Sequence, residues 1–167
     1  MTTKTSRKRK KAKRAPLKID PRRAPPALVC AIADGVEQYA HAHALGSGHA
    51  FAGYVPATLS PAAGTVPTTT SYPLQALKWN VRASEASLII TADAVLFGRA
   101  LAAREYAQRW SKPWLQVWPA DFDAARLRRW LQTHAIRVLH VTGPASYQAP
   151  TIESFVDTVM AQVWVAG

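Results

Sequence analysis

The chain has 167 residues, of which 49% are apolar, so it is about one domain long and has enough apolar surface for one buried core. Its formal net charge of +11 does not describe a basic folded surface: up to Pro26 there are 11 Lys and Arg against the single acid Asp20, and from Ala27 onward 10 against 9 Asp and Glu. No apolar run approaches the roughly 20 residues that a bilayer-spanning helix requires, which excludes such a span from the reading.

Residues 1–26 contain few apolar side chains and carry Pro16, Pro21, Pro25 and Pro26. They cannot bury enough surface to offset their chain entropy and are expected to form a disordered basic tail ahead of a domain over 27–167. Within the tail, Arg7, Lys8, Arg9, Lys10, Lys11, Lys13 and Arg14 can neutralise phosphates and release their counterions, giving salt-sensitive, sequence-blind attachment to RNA or DNA. An anionic lipid surface would attract the same run, and a solubilising extension or a receptor-read address explains it equally well. The tail lacks the apolar segment of a secretory signal and its Lys-rich makeup fits a mitochondrial presequence poorly, so an intracellular, cytoplasmic location is expected. The single cysteine, Cys30, can form no intrachain disulfide, in keeping with a reducing compartment, and inside "ALVCAIA" it reads as a small buried hydrophobe.

After the tail, "ALVCAIA" (27–33) reads as a buried strand and "DGVEQYAHAHAL" as a helix. The stretch from Gly46 to Pro73 is rich in Gly and Pro and is expected to be mostly loop, with one short strand around Phe51 to Val55. Leu74, Leu77 and Val81 fall at helical spacing, and "ASLIIT" follows as a strand. A helix over about Phe97 to Trp110, a strand "PWLQVW", a helix "DFDAARLRRWLQTHA", a strand "IRVLHVT" and a helix "TIESFVDTVMAQVWV" complete the chain. Strands alternating with helices of this length predict a three-layer, Rossmann-like α/β domain: a parallel sheet of about five strands with helices on both faces. Ligands of such sheets sit beyond the carboxyl ends of the strands, which directs attention to the loops after Ala33, Thr91, Trp118 and Thr142.

In this order, "YPL", "WNVRASEASLII", "SKPWLQV", "WLQTHAIRVLHVTGPAS" and "APTI" resemble the molybdenum-carrier family, the circularly permuted YpsA-like branch of the SLOG superfamily, related to lysine-decarboxylase-like nucleotide-binding domains. The likeness covers Ala27 to Trp164. It implies a Rossmann-like fold, a phosphorylated small-molecule ligand of the nucleotide or molybdenum-cofactor type, and a homo-oligomer. It implies a ligand site at Gly35, Asn80, Arg82, Ser84, Gly98, Gly143, Pro144 and Ser146.

The departures are specific. The family's Gly-Gly-Gln-Thr-Gly-Val-Asp-Arg loop corresponds to "AIADGVEQ", which keeps Gly35 and Val36 but has Glu37 for Asp and Gln38 for Arg. The Gly-Gly-Thr turn corresponds to "ADAVLFG", with Gly98 alone. The Gly-Pro-Arg-Glu-Ser turn corresponds to "GPASY", without its Arg and Glu. Glycines let backbone N–H groups approach a phosphate, and Arg clamps it in a fork, so these losses predict a weakened anion site.

Plainer roles compete at each position. Asn80 and Ser84 can cap and end a helix, with Arg82 a surface charge. His41 and His43 point apart on a helix, and with His49, His134 and His140 they build no metal set at convincing spacing, so no metal site is expected. Asp121 and Asp123 open a helix, where acids complement the dipole. Trp110, Trp130 and Trp164 lie on apolar faces. No nucleophile, base and electrophile occur in recognisable order, so the reading leans away from an enzyme. Two functions remain: a SLOG-like small-molecule binding or carrier domain with a weakened phosphate site, and a non-catalytic structural protein attached to RNA or DNA by its tail.

Overall fold

The computed structural model of the chain describes residues 14–58, 60 and 62–165. Among them are six strands, β1 (Ala27–Val29), β2 (Phe51–Val55), β3 (Thr65–Pro67), β4 (Ala86–Ile90), β5 (Trp114–Val117) and β6 (Val138–Thr142). All pair in parallel, in the order β3-β2-β1-β6-β4-β5. The helices are α1 (Val36–Gly46), α2 (Pro73–Ala83), α3 (Gly98–Arg109), α4 (Ala124–Thr133) and α5 (Glu153–Val163).

The central strands are apolar on both faces, as a sheet covered twice requires. Leu88 and Ile90 of β4 join Leu28, Leu139 and Val141 in a core closed by Val36 and Ala40 of α1, Leu127 of α4 and Val156 and Met160 of α5. The alternate residue Ile89 points the other way, into a smaller core with Leu77 and Val81 of α2 and the alanines Ala100, Ala103 and Ala107 of α3. The three-layer, Rossmann-like expectation therefore holds, with one strand more than the five anticipated. The addition is β3, three residues ending in Pro67 at the sheet edge, the place where a missing strand N–H costs least.

Residues 14–26 depart from the expected free tail. They have almost no regular secondary structure, yet they lie along the domain: the Tyr54 hydroxyl donates to the Ala15 carbonyl (2.7 Å), Arg14 sits over the Trp79 ring (5.4 Å), and Arg23 donates to the Gly48 carbonyl (2.7 Å). Arg7, Lys8, Arg9, Lys10, Lys11 and Lys13, the basic run itself, lie outside the described residues.

Asn80 explains how α2 is fixed. Val55 and Gly53 use their backbone groups toward β3, so those of Tyr54 face β1, which has already ended. The buried Asn80 side chain takes the vacant place: Tyr54 N–H donates to Oδ1 (2.8 Å) and Nδ2 donates to the Tyr54 carbonyl (2.9 Å). One amide prolongs the sheet where the strand stops and ties α2 to β2. Asn80→Ala should leave both Tyr54 groups buried and unpaired and cost about 3 kcal/mol in urea unfolding, whereas a loss under about 0.5 kcal/mol would show that they find other partners.

Candidate functional site

In sequence order the chain runs outward from β1 through β2 to β3, crosses to β4 and β5, and returns to the middle as β6. The switch in direction lies between β1 and the β6–β4 pair, and the loops after β1, β4 and β6 meet there at the carboxyl ends of the strands. Asp34, Gly35, Gly98, Arg99, Gly143, Pro144 and Ser146 all sit on these loops or on the helix starts that follow them.

Arg99, the second residue of α3, knits the three loops. Its Nε donates to the Gly143 carbonyl (3.0 Å), its Nη2 donates to the Asp34 carbonyl (2.9 Å), and Nε lies 3.4 Å from Oε2 of Glu37. Glu37, in the first turn of α1, is fully buried. Its Oε1 accepts from the Ala31 N–H (3.1 Å), which holds the β1–α1 loop in a conformation that puts the β-branched Ile32 at φ 55°, a strained region for such a side chain. Oε2 has the Arg99 charge beside it but accepts no hydrogen bond, because Nε is already directed to Gly143. Burial pushes the Glu37 carboxyl above its ordinary range, while Arg99 and the backbone donors pull it back.

These two residues stand at one end of a cavity of about 270 Å³, which is otherwise lined by Ala31, Ala33, Pro56, Thr58, Ser71, Pro73 and Leu77. Its walls come from the loops after β1 and β2, the start of α2 and the start of α3. A larger cavity, about 450 Å³, is lined by Pro25, Pro26, Ile136 and Arg137 together with the ends of α4 and α5, at the opposite, amino ends of the strands. The cavity at the switch point is the candidate site because the sheet delivers its loops and helix starts there.

The glycines are used differently from one another. A Cβ on Gly35, which has φ +90°, would collide with the Pro144 carbonyl and the Ala145 backbone, and a Cβ on Gly143 would collide with the Ile90 carbonyl and Val36. Both glycines let loops of the protein itself close on each other. Val36 N–H donates to the Pro144 carbonyl (3.2 Å), and the Ser146 N–H and hydroxyl both donate to Asp34 Oδ2 (3.1 and 2.7 Å), which lowers the Asp34 pKa. Gly98, at φ +53°, faces open space at the start of α3.

The remaining residues of the implied set lie elsewhere. Arg82 and Ser84 are at the carboxyl end of α2, which leads into the amino end of β4, so the fold does not bring them to Gly35 and Gly143. Ser84 ends α2, its hydroxyl donating to the Val81 carbonyl, and Arg82 lies over the Trp110 ring at 5.5 Å. Asn80 is neither a helix cap nor part of the cavity lining; it is occupied with Tyr54. Lys112 Nζ donates to the carbonyls of Val81, Arg82 and Ser84 and so completes the end of α2.

Other side chains find structural partners. Asp123 caps α4, accepting from Ala125 and Arg126 N–H, and Asp121 pairs with Arg126 at 2.8 Å. Trp164 stacks with His49 (3.8 Å between centroids) and donates to the Pro26 carbonyl (2.8 Å). His140 is buried beside the Ser87 hydroxyl (3.1 Å), and burial first, with Arg99 and Lys112 adding to it, brings its pKa down to about 3. Arg99 and Glu37 carry no sign in sequence of acting together, since the partners of Arg99 stand far away in the chain. The one available signal was an acid at the Asp position of the first loop.

Arg99→Ala should cost about 3 kcal/mol at neutral pH, because it leaves a buried carboxylate without its countercharge. Glu37 has a folded pKa above the ordinary 4.5, so its favourable contribution is complete below that value and is lost as pH rises through the folded one. The variant's deficit should therefore shrink as pH is lowered toward 4.5 and grow toward 8. Urea unfolding across that range reads it, and a deficit independent of pH would separate the role of Arg99 from the charge of Glu37.

With the fold and site in place, comparison with known proteins is direct. The sequence pattern of the circularly permutated YpsA SLOG family matches residues 33–164. The crystal structure of "Putative molybdenum carrier protein" from Syntrophus aciditrophicus SB superposes with a TM-score of 0.76 and 22% identity, over 86% of this chain and 97% of that one, a likeness of fold. No curated protein gives a significant match. Because the family pattern spans the three switch-point loops and every helix, the chain belongs to the circularly permutated YpsA family of the SLOG superfamily.

Proposed function

We propose that this protein is a small-molecule binding or carrier protein whose ligand, of the nucleotide or molybdenum-cofactor type, occupies the cavity of about 270 Å³ at the switch point. One observation carries the reading: an apolar-walled cavity at the carboxyl ends of parallel strands, closed at one end by a buried carboxylate and a guanidinium. Family membership supports it, and the name of the Syntrophus relative supports carriage of molybdenum as one cargo.

The phosphate part of the site is weakened in this reading. Gly35 and Gly143 lend their missing Cβ atoms to contacts between loops, and no Arg stands at Gln38 or after Pro144. A bare oxyanion such as molybdate also fits poorly beside the Glu37 carboxylate, whose free oxygen accepts and does not donate when ionised. Among the described residues no group of three or more His, Cys, Asp or Glu stands ready to ligate a metal ion. An organic ligand, or molybdenum inside an organic chelate, matches the cavity better.

Thermal unfolding of the full chain with millimolar nucleosides, nucleotides, pterins and molybdate tests the proposal. A ligand specific to the folded state at 100 times its Kd should add about 2.7 kcal/mol of stability. Failure of the entire panel to shift the transition would remove the carrier reading.

A further inference from the structure

We infer that the cavity recognises a planar lactam heterocycle, a ring presenting N–H beside C=O as in uracil, guanine or a pterin, and that it binds the ring rather than a phosphate. This rests on the small-molecule reading above and names the ligand chemistry of the same cavity.

The inner end offers one acceptor and one donor side by side. Glu37 Oε2 is fully buried and accepts no hydrogen bond. A buried acceptor left unmade is costly, and a ligand N–H that fills it gains what the protein alone forgoes. Arg99 commits Nε and Nη2 to carbonyls, while its Nη1 makes no hydrogen bond to a described residue; the side chain remains 22% exposed. The two N–H bonds of one guanidinium nitrogen suit a carbonyl oxygen with its two lone pairs better than a ring nitrogen with one. The 3.4 Å separation between Nε and Oε2 is that of adjacent groups on one ring edge. A lactam meets both at once by inserting its edge against the carboxylate and the guanidinium, which stays tied to Gly143 and Asp34.

The rest of the lining agrees. Ala31, Ala33, Pro56, Pro73 and Leu77 give flat apolar walls, and the hydroxyl residues Thr58 and Ser71 supply polar groups suited to a sugar or side arm. The volume of about 270 Å³ is just under the usual lower bound of roughly 300 Å³ for ligand pockets, the size for one ring system and not for a dinucleotide. No glycine-built cradle competes for a phosphate at Gly35 or Gly143, where the protein's own backbone fills the space.

Calorimetric titration of the full chain with guanosine, uridine and pterin, with their N-methylated lactams, with adenosine and cytidine, and with inorganic phosphate and molybdate is the test. At least one of the three lactam compounds should bind, N-methylation at the edge should weaken it by about a hundredfold or more, and a 5′-phosphate should change affinity by less than about tenfold. Glu37→Gln should weaken the lactam by about tenfold or more while leaving the unfolding temperature equal to or above that of the wild type, since it removes a buried charge. If only phosphate or molybdate binds, if adenosine or cytidine binds as well as any lactam, or if N-methylation has no effect, the inference is overturned while a small-molecule site stands. If no compound binds, the small-molecule reading fails with it.

Discussion

The architecture turns on one guanidinium. A parallel sheet sends its loops to a common end, where backbone groups and helix starts crowd together without strand partners to satisfy them. Arg99 answers this with two carbonyls, one from the loop after β1 and one from the loop after β6, and with the Glu37 carboxylate between them. Glu37 in turn holds the Ala31 N–H and the strained turn at Ile32. The pair is interdependent: alone, the carboxylate would be an uncompensated buried charge, and the guanidinium would lose its countercharge at the point where α1 and α3 approach the same loop.

A second polar side chain solves the corresponding problem on β2. Because β1 is only three residues long, Tyr54 outlives its neighbour, and Asn80 supplies both the acceptor and the donor that another β1 residue would have given. The motif that most resembles a ligand element, "NVRAS", is thus spent on architecture: Asn80 on the sheet, Arg82 against Trp110 and Ser84 at the helix end. Together with Lys112 closing the carbonyls of α2, these contacts make the cavity wall formed by Pro73 and Leu77 a fixed surface.

Much of the fold was legible because it is written locally. Apolar runs such as "ASLII" can only be strands covered on both faces, and the spacing of Ala100, Ala103 and Ala107 places one side of α3 on the sheet. β3 was hidden because three residues ending in proline have no periodicity to detect. The ordered path of residues 14–26 was hidden as well, since its contacts run from Arg14 to Trp79 and from Arg23 to Gly48, and composition reports only the chain's own tendency to order. Of the site, the loops were legible from topology, but the Glu37–Arg99 pair was not: separations of 62 and more residues leave no local trace.

The glycines carry the most general lesson about this site. A glycine kept in a loop is compatible with close approach of a ligand and equally with close approach of another piece of the same chain, and sequence does not distinguish them. At Gly35 and Gly143 the approaching atoms belong to Pro144, Ala145, Ile90 and Val36, so these positions are required whether or not a phosphate ever binds. Loss of the neighbouring glycines and of the loop arginines removes anion contacts without loosening the loops, because Arg99, Asp34 and Ser146 hold them from within. A fold can therefore give up its phosphate chemistry and keep its shape. What stays available for recognition is the one buried acceptor that the packing leaves unanswered, Oε2 of Glu37, with a cationic donor at its side.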